Sequence, residues 1–208
     1  MRYLISAFFV LIACVSCSND TANQQVSRFY DDGRSRANVS VSSVMDSTSY
    51  DVPWSLSEEF TQLIKNNLAS NKNFYLSSAE AVDSSLTNSD NPFDININWM
   101  KDRFENSEFL VFLELIKHDE EKNDNATNLE MTMRIRVVDV RAKEPKIILQ
   151  ECIDDNYYIA KGAIKTDYQN TVWGTDEYVN SRMGMAHNQL ANDVAKRISE
   201  YIALAKSR

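Results

Sequence analysis

The chain has 208 residues, and 22 lysines and arginines against 30 aspartates and glutamates give it a formal charge of −8 at pH 7. This acidic balance argues against nucleic acid as a partner and against an electrostatic grip on anionic lipid. The sequence holds four glycines and two histidines, which excludes glycine-rich phosphate loops and makes an enzyme the least favoured class of function.

Residues 1–13 have the composition of a signal peptide. Arg2 supplies a short positive region, and residues 4–13 are apolar apart from Ser6. This stretch is too short to cross ~30 Å of hydrocarbon as a helix, but it suits the apolar region of a signal peptide. No later segment approaches ~20 apolar residues, so the sequence predicts no further membrane span.

The next residues, Leu11-Ile12-Ala13-Cys14, resemble the bacterial lipobox, in which an apolar and a small residue precede an invariant cysteine. The resemblance implies cleavage before Cys14, a diacylglyceryl group on its sulfur and acylation of the new amine. Cys17 is the alternative, less favoured because a cysteine stands three residues before it. An unlipidated secretory signal and an uncleaved anchor are the competing interpretations. Neither cysteine precedes aspartate, which by resemblance to the sorting rule of diderm bacteria favours the outer membrane over the inner.

The first elements follow a polar segment without sustained periodicity at 18–37, which predicts a flexible tether between lipid and domain. A β-prone segment at 38–45 predicts the first strand. Apolar residues recur at helical spacing behind a capping box of Ser55 and Glu58, so residues 56–70 predict an amphipathic helix. The other elements predicted before residue 105 are a short strand at 73–77, a short helix at 78–86 and a helical turn at 99–104.

Three strands and a helix are predicted in the second half of the chain. Residues 109–117 are strongly hydrophobic and predict a central strand covered on both faces. The polar residues 118–128 predict a hairpin loop. Apolar and polar side chains alternate over 129–137, which predicts a half-buried strand, and 147–159 predict the third strand of an antiparallel meander. A closing amphipathic helix begins near 178–183 and runs to the end.

The predicted order of elements is therefore β-α-β-α-(α)-β-β-β-α. Adjacent hydrophobic strands and two long amphipathic helices predict an α/β fold, a layered sandwich with a mixed sheet. Residues 38–208 contain no internal repeat and no linker. We expect one domain there, after the signal peptide at 1–13 and the lipidated cysteine and tether at 14–37.

Neither the histidines nor the cysteines predict a reaction site. His118 precedes three acidic residues, but neighbours on one loop do not converge on a metal, so a solvated acidic loop is favoured. Cys17 and Cys152 could pair if Cys14 carries lipid, but a buried unpaired thiol is favoured for Cys152. A nucleophilic pair of Cys152 and His187 lacks an oxyanion-hole motif, which favours a helix-surface histidine. We expect no metal and no cofactor.

Four residues form the candidate interface with a partner: Trp173, Tyr178, Met183 and Met185. A tryptophan in a loop beside a glycine can contact a protein or a sugar, and methionines make adaptable interfaces. Folding of the tryptophan and the methionines into the core is the alternative, and it is favoured. Trp54, just before the first long helix, has the same ambiguity.

Two parts of the sequence resemble known envelope proteins. The segments PWSLSEEFTQLI, FYLS and LEMTMRIRVVDVRAKEPKIILQE resemble the α/β modules of the TolB amino-terminal domain, the penicillin-binding-protein activator lipoproteins and the curli secretion lipoprotein. The glycine usual in their hairpin turn is absent. The closing stretch TVWGTDEYVNSRMGMAHNQLANDVAKRISEYI resembles small uncharacterised lipoproteins of obligate intracellular bacteria. Together the resemblances cover residues 38–205 and imply no known activity.

We therefore expect a membrane-anchored lipoprotein that acts as a non-catalytic binding or adaptor module in the bacterial cell envelope. Its partners would be the membrane, through the lipid, and an envelope protein, but not nucleic acid. The alternative is a lipid- or glycan-handling lipoprotein of outer-membrane assembly. Arg134, Arg136 and Arg141 on one hairpin are the candidate ligand surface for that alternative, and a solvated strand face is the usual interpretation of such arginines.

Overall fold

The computed structural model describes residues 27–77, 83, 86, 91–122, 126–160 and 172–207, with the side chains of 122, 159 and 160 excepted. The predicted signal peptide, both candidate lipidated cysteines, the predicted tether before residue 27 and nearly all of the helix predicted at 78–86 lie outside the described residues. The end of the predicted tether is structured rather than flexible, because Phe29 and Ser35 pair across a short turn and Tyr30 Oη donates to the Asn73 carbonyl. In chain order the elements are β1 (Ala37–Val41), β2 (Met45–Asp46), α1 (Leu56–Ser70), β3 (Phe74–Leu76), α2 (Trp99–Arg103), β4 (Phe109–Lys122), β5 (Ala126–Asp139), β6 (Lys146–Ala160), α3 (Asp176–Val179) and α4 (Arg182–Lys206).

The six strands form one mixed sheet in the order β3-β1-β4-β5-β6, with β2 paired to β4 off this path. β1 runs parallel to both β3 and β4, whereas β4, β5 and β6 form an antiparallel meander. The α/β class, the mixed sheet and the meander are therefore as the sequence predicts.

Serine caps begin both long helices. The Ser55 side chain accepts a hydrogen bond from Glu58 N at 3.2 Å, and Ser181 accepts one from Gly184 N at 3.0 Å. These bonds satisfy backbone donors that the first helical turn leaves unpaired. Each helix buries one apolar stripe, formed by Leu56, Phe60, Ile64 and Leu68 in α1 and by Leu190, Val194, Ile198 and Ile202 in α4.

The core lies on both faces of the sheet. α1 and α4 pack on one face, where their stripes meet inward side chains of β1, β4 and β5. A smaller cluster covers the start of β4 and the end of β5 on the other face, and it consists of Met100, Phe104, Leu110, Phe112, Val138 and Val140. The start of β4 is thus covered on both faces, which confirms the prediction for residues 109–113, whereas Ile116 is 39% exposed.

The first strand is broken, unlike the single strand predicted at 38–45. Between β1 and β2, Ser43 N donates to the Asp83 carboxylate at 2.9 Å and Val44 N donates to Thr61 Oγ1 at 2.8 Å. Side chains of neighbouring segments thus take backbone donors that a continuous strand would give to the sheet. Such distant competitors are not visible in a local hydropathy pattern.

The loop predicted at 118–128 is wrong, because β4 continues to Lys122 and β5 begins at Ala126. The polar residues of this hairpin pair across the two strands: Lys117 forms an ion pair with Glu130, which lies on the facing strand. Ala126 and Leu129 of the same stretch are buried. A strand with one solvated face can carry many charges, so polarity alone does not indicate a loop.

Candidate functional site

Four buried polar side chains meet between the long helices and the sheet: Glu59 of α1, His118 of β4, Tyr178 of α3 and His187 of α4. We call them the buried histidine cluster. None is more than 3% exposed. Buried polar groups are costly unless they are hydrogen-bonded, so the partners of each group decide what the cluster does.

The Glu59 carboxylate is the centre of the cluster. Its Oε1 accepts from Tyr178 Oη at 2.6 Å and from His187 Nδ1 at 2.8 Å. Its Oε2 accepts from Trp54 Nε1 at 2.7 Å, which gives Trp54 a structural role just before α1. On the far side of the ring, His187 Nε2 lies 2.9 Å from His118 Nε2. Hydrogen bonds therefore connect α1, α3, α4 and β4 through one carboxylate.

A β-bulge places His118 in this cluster. The register of β4 against β5 shifts between Leu115 and Lys117, which leaves Ile116 as the extra residue. Regular alternation would put His118 on the sheet face opposite to Leu115, since the two are three residues apart. The bulge reverses the alternation, so His118 pairs with Met131 and is buried.

The cluster holds a buried negative charge beside a neutral imidazole. Burial alone would raise the pKa of Glu59, but hydrogen bonds from His187, Tyr178 and Trp54 outweigh it and the pKa is lowered. Burial, with a contribution from the charge of His187, lowers the pKa of His118 to about 3. One proton joins His118 Nε2 and His187 Nε2, and its position depends on the tautomers of the two rings. His118 Nδ1 has no hydrogen-bond partner among the described residues.

The chemistry open to the buried histidine cluster is limited by access. A carboxylate–histidine–histidine chain can in principle relay a proton, but a substrate must reach one end of it. All four side chains are almost completely buried, and none of them lines either of the two cavities beside Tyr75. In the described part of the chain, no group of three His, Cys, Asp or Glu side chains is arranged to hold a metal ion.

Three predictions from the sequence are therefore corrected. His118 is buried in a strand rather than solvated in a loop, and His187 lies in the core rather than on the helix surface. Cys152 is an exposed free thiol rather than a buried one, because it lies on the outward face of the edge strand β6. The sequence contains one signal that His187 is buried. It follows Met183 by four residues, which places it on the apolar stripe of α4.

The candidate interface residues occupy different environments. Tyr178 and Met183 are buried, Trp173 is half-buried and Met185 is 45% exposed. A partner would therefore meet Met185 and part of Trp173, while the other two side chains support the fold. Of the two methionines, only Met185 lies on the surface, so they do not form a methionine patch.

The arginines of the hairpin are engaged within the protein. Arg136 is 4% exposed, and it donates to the carbonyl oxygens of residues 92–94 and to the Gln150 side chain. Arg134 forms an ion pair with Glu114, and Arg141 forms one with Asp139 at 2.7 Å. The interpretation of Arg136 as part of a solvated face is wrong, because it fastens the segment before α2 to the sheet.

A cleft opens on the sheet face opposite to the long helices, and Arg28 of the predicted tether lines it. We call it the tether cleft. It has a volume of about 610 Å³, and its lining includes Arg28, Asn38, Ser40, Tyr75, Ser77 and Ser107. A second cavity of about 330 Å³ adjoins it and shares Arg28, Asn38 and Tyr75. Sequence patterns gave no signal for it, since its residues come from four separated segments.

Comparison with protein families identifies the chain. The model of a family of unknown function, DUF7499, matches residues 25–206. The chain belongs to this family. The region that matches the DUF7499 model contains all the described elements from β1 to α4. No curated protein matches the chain significantly.

Solved structures share the fold of this DUF7499 protein. The hypothetical protein CT253 from Chlamydia trachomatis is 22% identical, with a TM-score of 0.66 over 81% of this chain and 98% of that one. Protein XCC0632 from Xanthomonas campestris is 5% identical, with a TM-score of 0.52 over 83% and 89% of the two chains. Lipoprotein GNA1162 from Neisseria meningitidis reaches a TM-score of 0.43 at 13% identity over 77% and 99%. The first two structures confirm the expected likeness to uncharacterised bacterial proteins, for the fold alone.

Proposed function

We propose that this protein is a lipid-anchored, non-catalytic binding module of the bacterial cell envelope. Cys14 carries the lipid, with Cys17 as the alternative, and the outer membrane is favoured over the inner. Residues 38–208 act as one domain behind the tether. None of the helices among the described residues has the length and hydrophobicity that a membrane crossing needs.

The observation that carries this proposal is the position of the tether cleft beside residues 28–36, the described end of the predicted tether. Phe29 and Ser35 pair in a small hairpin, and Tyr30 Oη donates to the Asn73 carbonyl at 3.3 Å just before β3. From Cys14 to Phe29 of this hairpin the chain reaches at most ~54 Å when fully extended. A binding cleft in this position stays close to the membrane surface and to whatever lies on it.

Binding rather than catalysis is supported by the use of the polar groups. The buried histidine cluster directs its hydrogen bonds into the fold, and the hairpin arginines are engaged within the protein. Exposed apolar side chains near the start of α4 support an envelope protein as one partner: Val172 is 51%, Val179 55% and Met185 45% exposed. The tether cleft supports the alternative, a glycan- or lipid-handling role.

The anchor is tested by the intact mass of protein extracted from its native membrane. We expect the diacylglyceryl and acyl mass in the wild type and in Cys17→Ala, and its loss in Cys14→Ala. The reverse pattern in the two variants would assign the lipid to Cys17. A wild-type protein without lipid mass would refute the lipoprotein proposal and leave a secreted or periplasmic factor.

A further inference from the structure

We infer that the tether cleft binds an uncharged carbohydrate. This inference rests on the proposed function, because it names a ligand class for the proposed binding module. Three features of the cleft support it: a floor of hydroxyl groups, a balance of charges, and a suitable size and wall.

The hydroxyl floor consists of Ser40 in β1, Ser77 just after β3 and Ser107 just before β4. Ser40 Oγ hydrogen-bonds to Ser77 Oγ and lies 2.6 Å from Ser107 Oγ. Serine hydroxyls donate and accept at once, so this chain can be extended by a ligand group that also does both. A sugar hydroxyl has the required dual character.

Among the described residues that line the cleft, the charges cancel. Arg28 and Arg103 are matched by Asp102 and Glu105. The adjoining cavity adds Arg36 and also Glu108, so the balance is kept there. A phosphate or carboxylate ligand would meet carboxylates as well as guanidinium groups, and the carboxylates would repel it. A neutral polyol can donate to the carboxylates and accept from the arginines.

One wall is flat and held in place. The Arg28 guanidinium lies over the ring of Tyr75, with Cζ 5.3 Å from the ring centroid. The main cavity, at about 610 Å³, falls within the range of ~300–1,000 Å³ typical of small-molecule sites. The adjoining cavity leaves room for a ligand of more than one sugar ring. Mixed apolar and polar walls of this kind fix the orientation of a ligand that has few charges.

The test is a calorimetric titration of the full-length lipidated protein in a polyoxyethylene detergent, which contains no sugar. The probes are a neutral β-1,4-linked N-acetylglucosamine tetramer, maltotetraose and inorganic phosphate. The variants are Tyr75→Ala, which removes the flat wall, and Asn106→Trp, which fills the cleft from an exposed position. Tyr158→Ala is the matched control, because Tyr158 is an exposed tyrosine on the opposite edge strand β6. Circular dichroism checks that each variant folds.

We expect at least one neutral sugar to bind. Its dissociation constant should rise about tenfold or more in Tyr75→Ala and in Asn106→Trp and stay unchanged in Tyr158→Ala. Binding of neither sugar, equal binding by folded Asn106→Trp, or preferential binding of phosphate would each overturn the inference. If sugar binding fails while the lipid mass is present, the carbohydrate inference falls and the lipoprotein proposal stands. Sugar binding by a protein without lipid mass would support the carbohydrate inference and refute the lipid anchor.

Discussion

Replacement of Glu59 by glutamine tests whether the buried carboxylate holds the helices to the sheet. The change keeps the shape of the side chain but replaces Oε2 or Oε1 with an amide that donates. Two donors reach Oε1, from Tyr178 and His187, and one reaches Oε2, from Trp54 at 2.7 Å. In the better orientation the new amide faces the Trp54 N–H, so that two donors oppose each other and one buried donor loses its partner.

The expected cost follows from these three bonds. A hydrogen bond to a charged group contributes ~1.5–3 kcal/mol, whereas one to a neutral group contributes ~1 kcal/mol. Loss of one bond and weakening of the other two should lower the free energy of unfolding by about 3 kcal/mol. That is a large fraction of the ~5–15 kcal/mol by which a typical domain is stable.

Urea denaturation followed by circular dichroism measures this loss. Glu58→Gln is the matched control, because Glu58 lies in the same first turn of α1 with an exposed side chain. Its replacement removes only a favourable charge at the helix N-terminus, which contributes less than ~1 kcal/mol. A loss for Glu59→Gln that is no larger than the loss for Glu58→Gln would refute the reasoning.

Three further predictions concern single positions. His118 has a pKa of about 3 in the folded state and 6.5 as the reference value, so between these pH values the unfolded state binds the additional proton. Stability should therefore fall as pH drops from 6.5 towards 3, by up to ~1.4 kcal/mol per pH unit, and urea midpoints of His118→Gln should show a flatter slope. Gly184→Ala should lower the melting temperature, because the Cβ of the alanine would lie 2.1 Å from the Tyr178 carbonyl oxygen. This is expected although alanine favours helices more than glycine does. An unchanged or higher melting temperature would contradict this close approach at the helix start. The exposed thiol of Cys152 should react with a thiol reagent in the folded protein, and equal labelling of Cys152→Ser would contradict its exposure.

The elements that the sequence predicts well are those whose signals are local. A cap residue and an apolar stripe repeat within one helix, so α1 was predictable at its observed bounds and α4 near its start. Strict alternation identified the centre of β5 for the same reason. The break after β1 was not predictable, since Thr61 and Asp83 compete for its backbone from other segments.

The buried histidine cluster shows why candidate sites are harder to predict than elements. Glu59 follows the buried Leu56 by three residues and precedes the buried Phe60, so its place on the apolar face of α1 was visible in the sequence. His118 was not visible, because its direction depends on one extra residue, Ile116, in a strand whose register is set by the facing strand. A single bulge therefore decides whether that histidine faces water or the core. Local polarity predicted the solvated position, and the pairing of β4 with β5 determines the buried one.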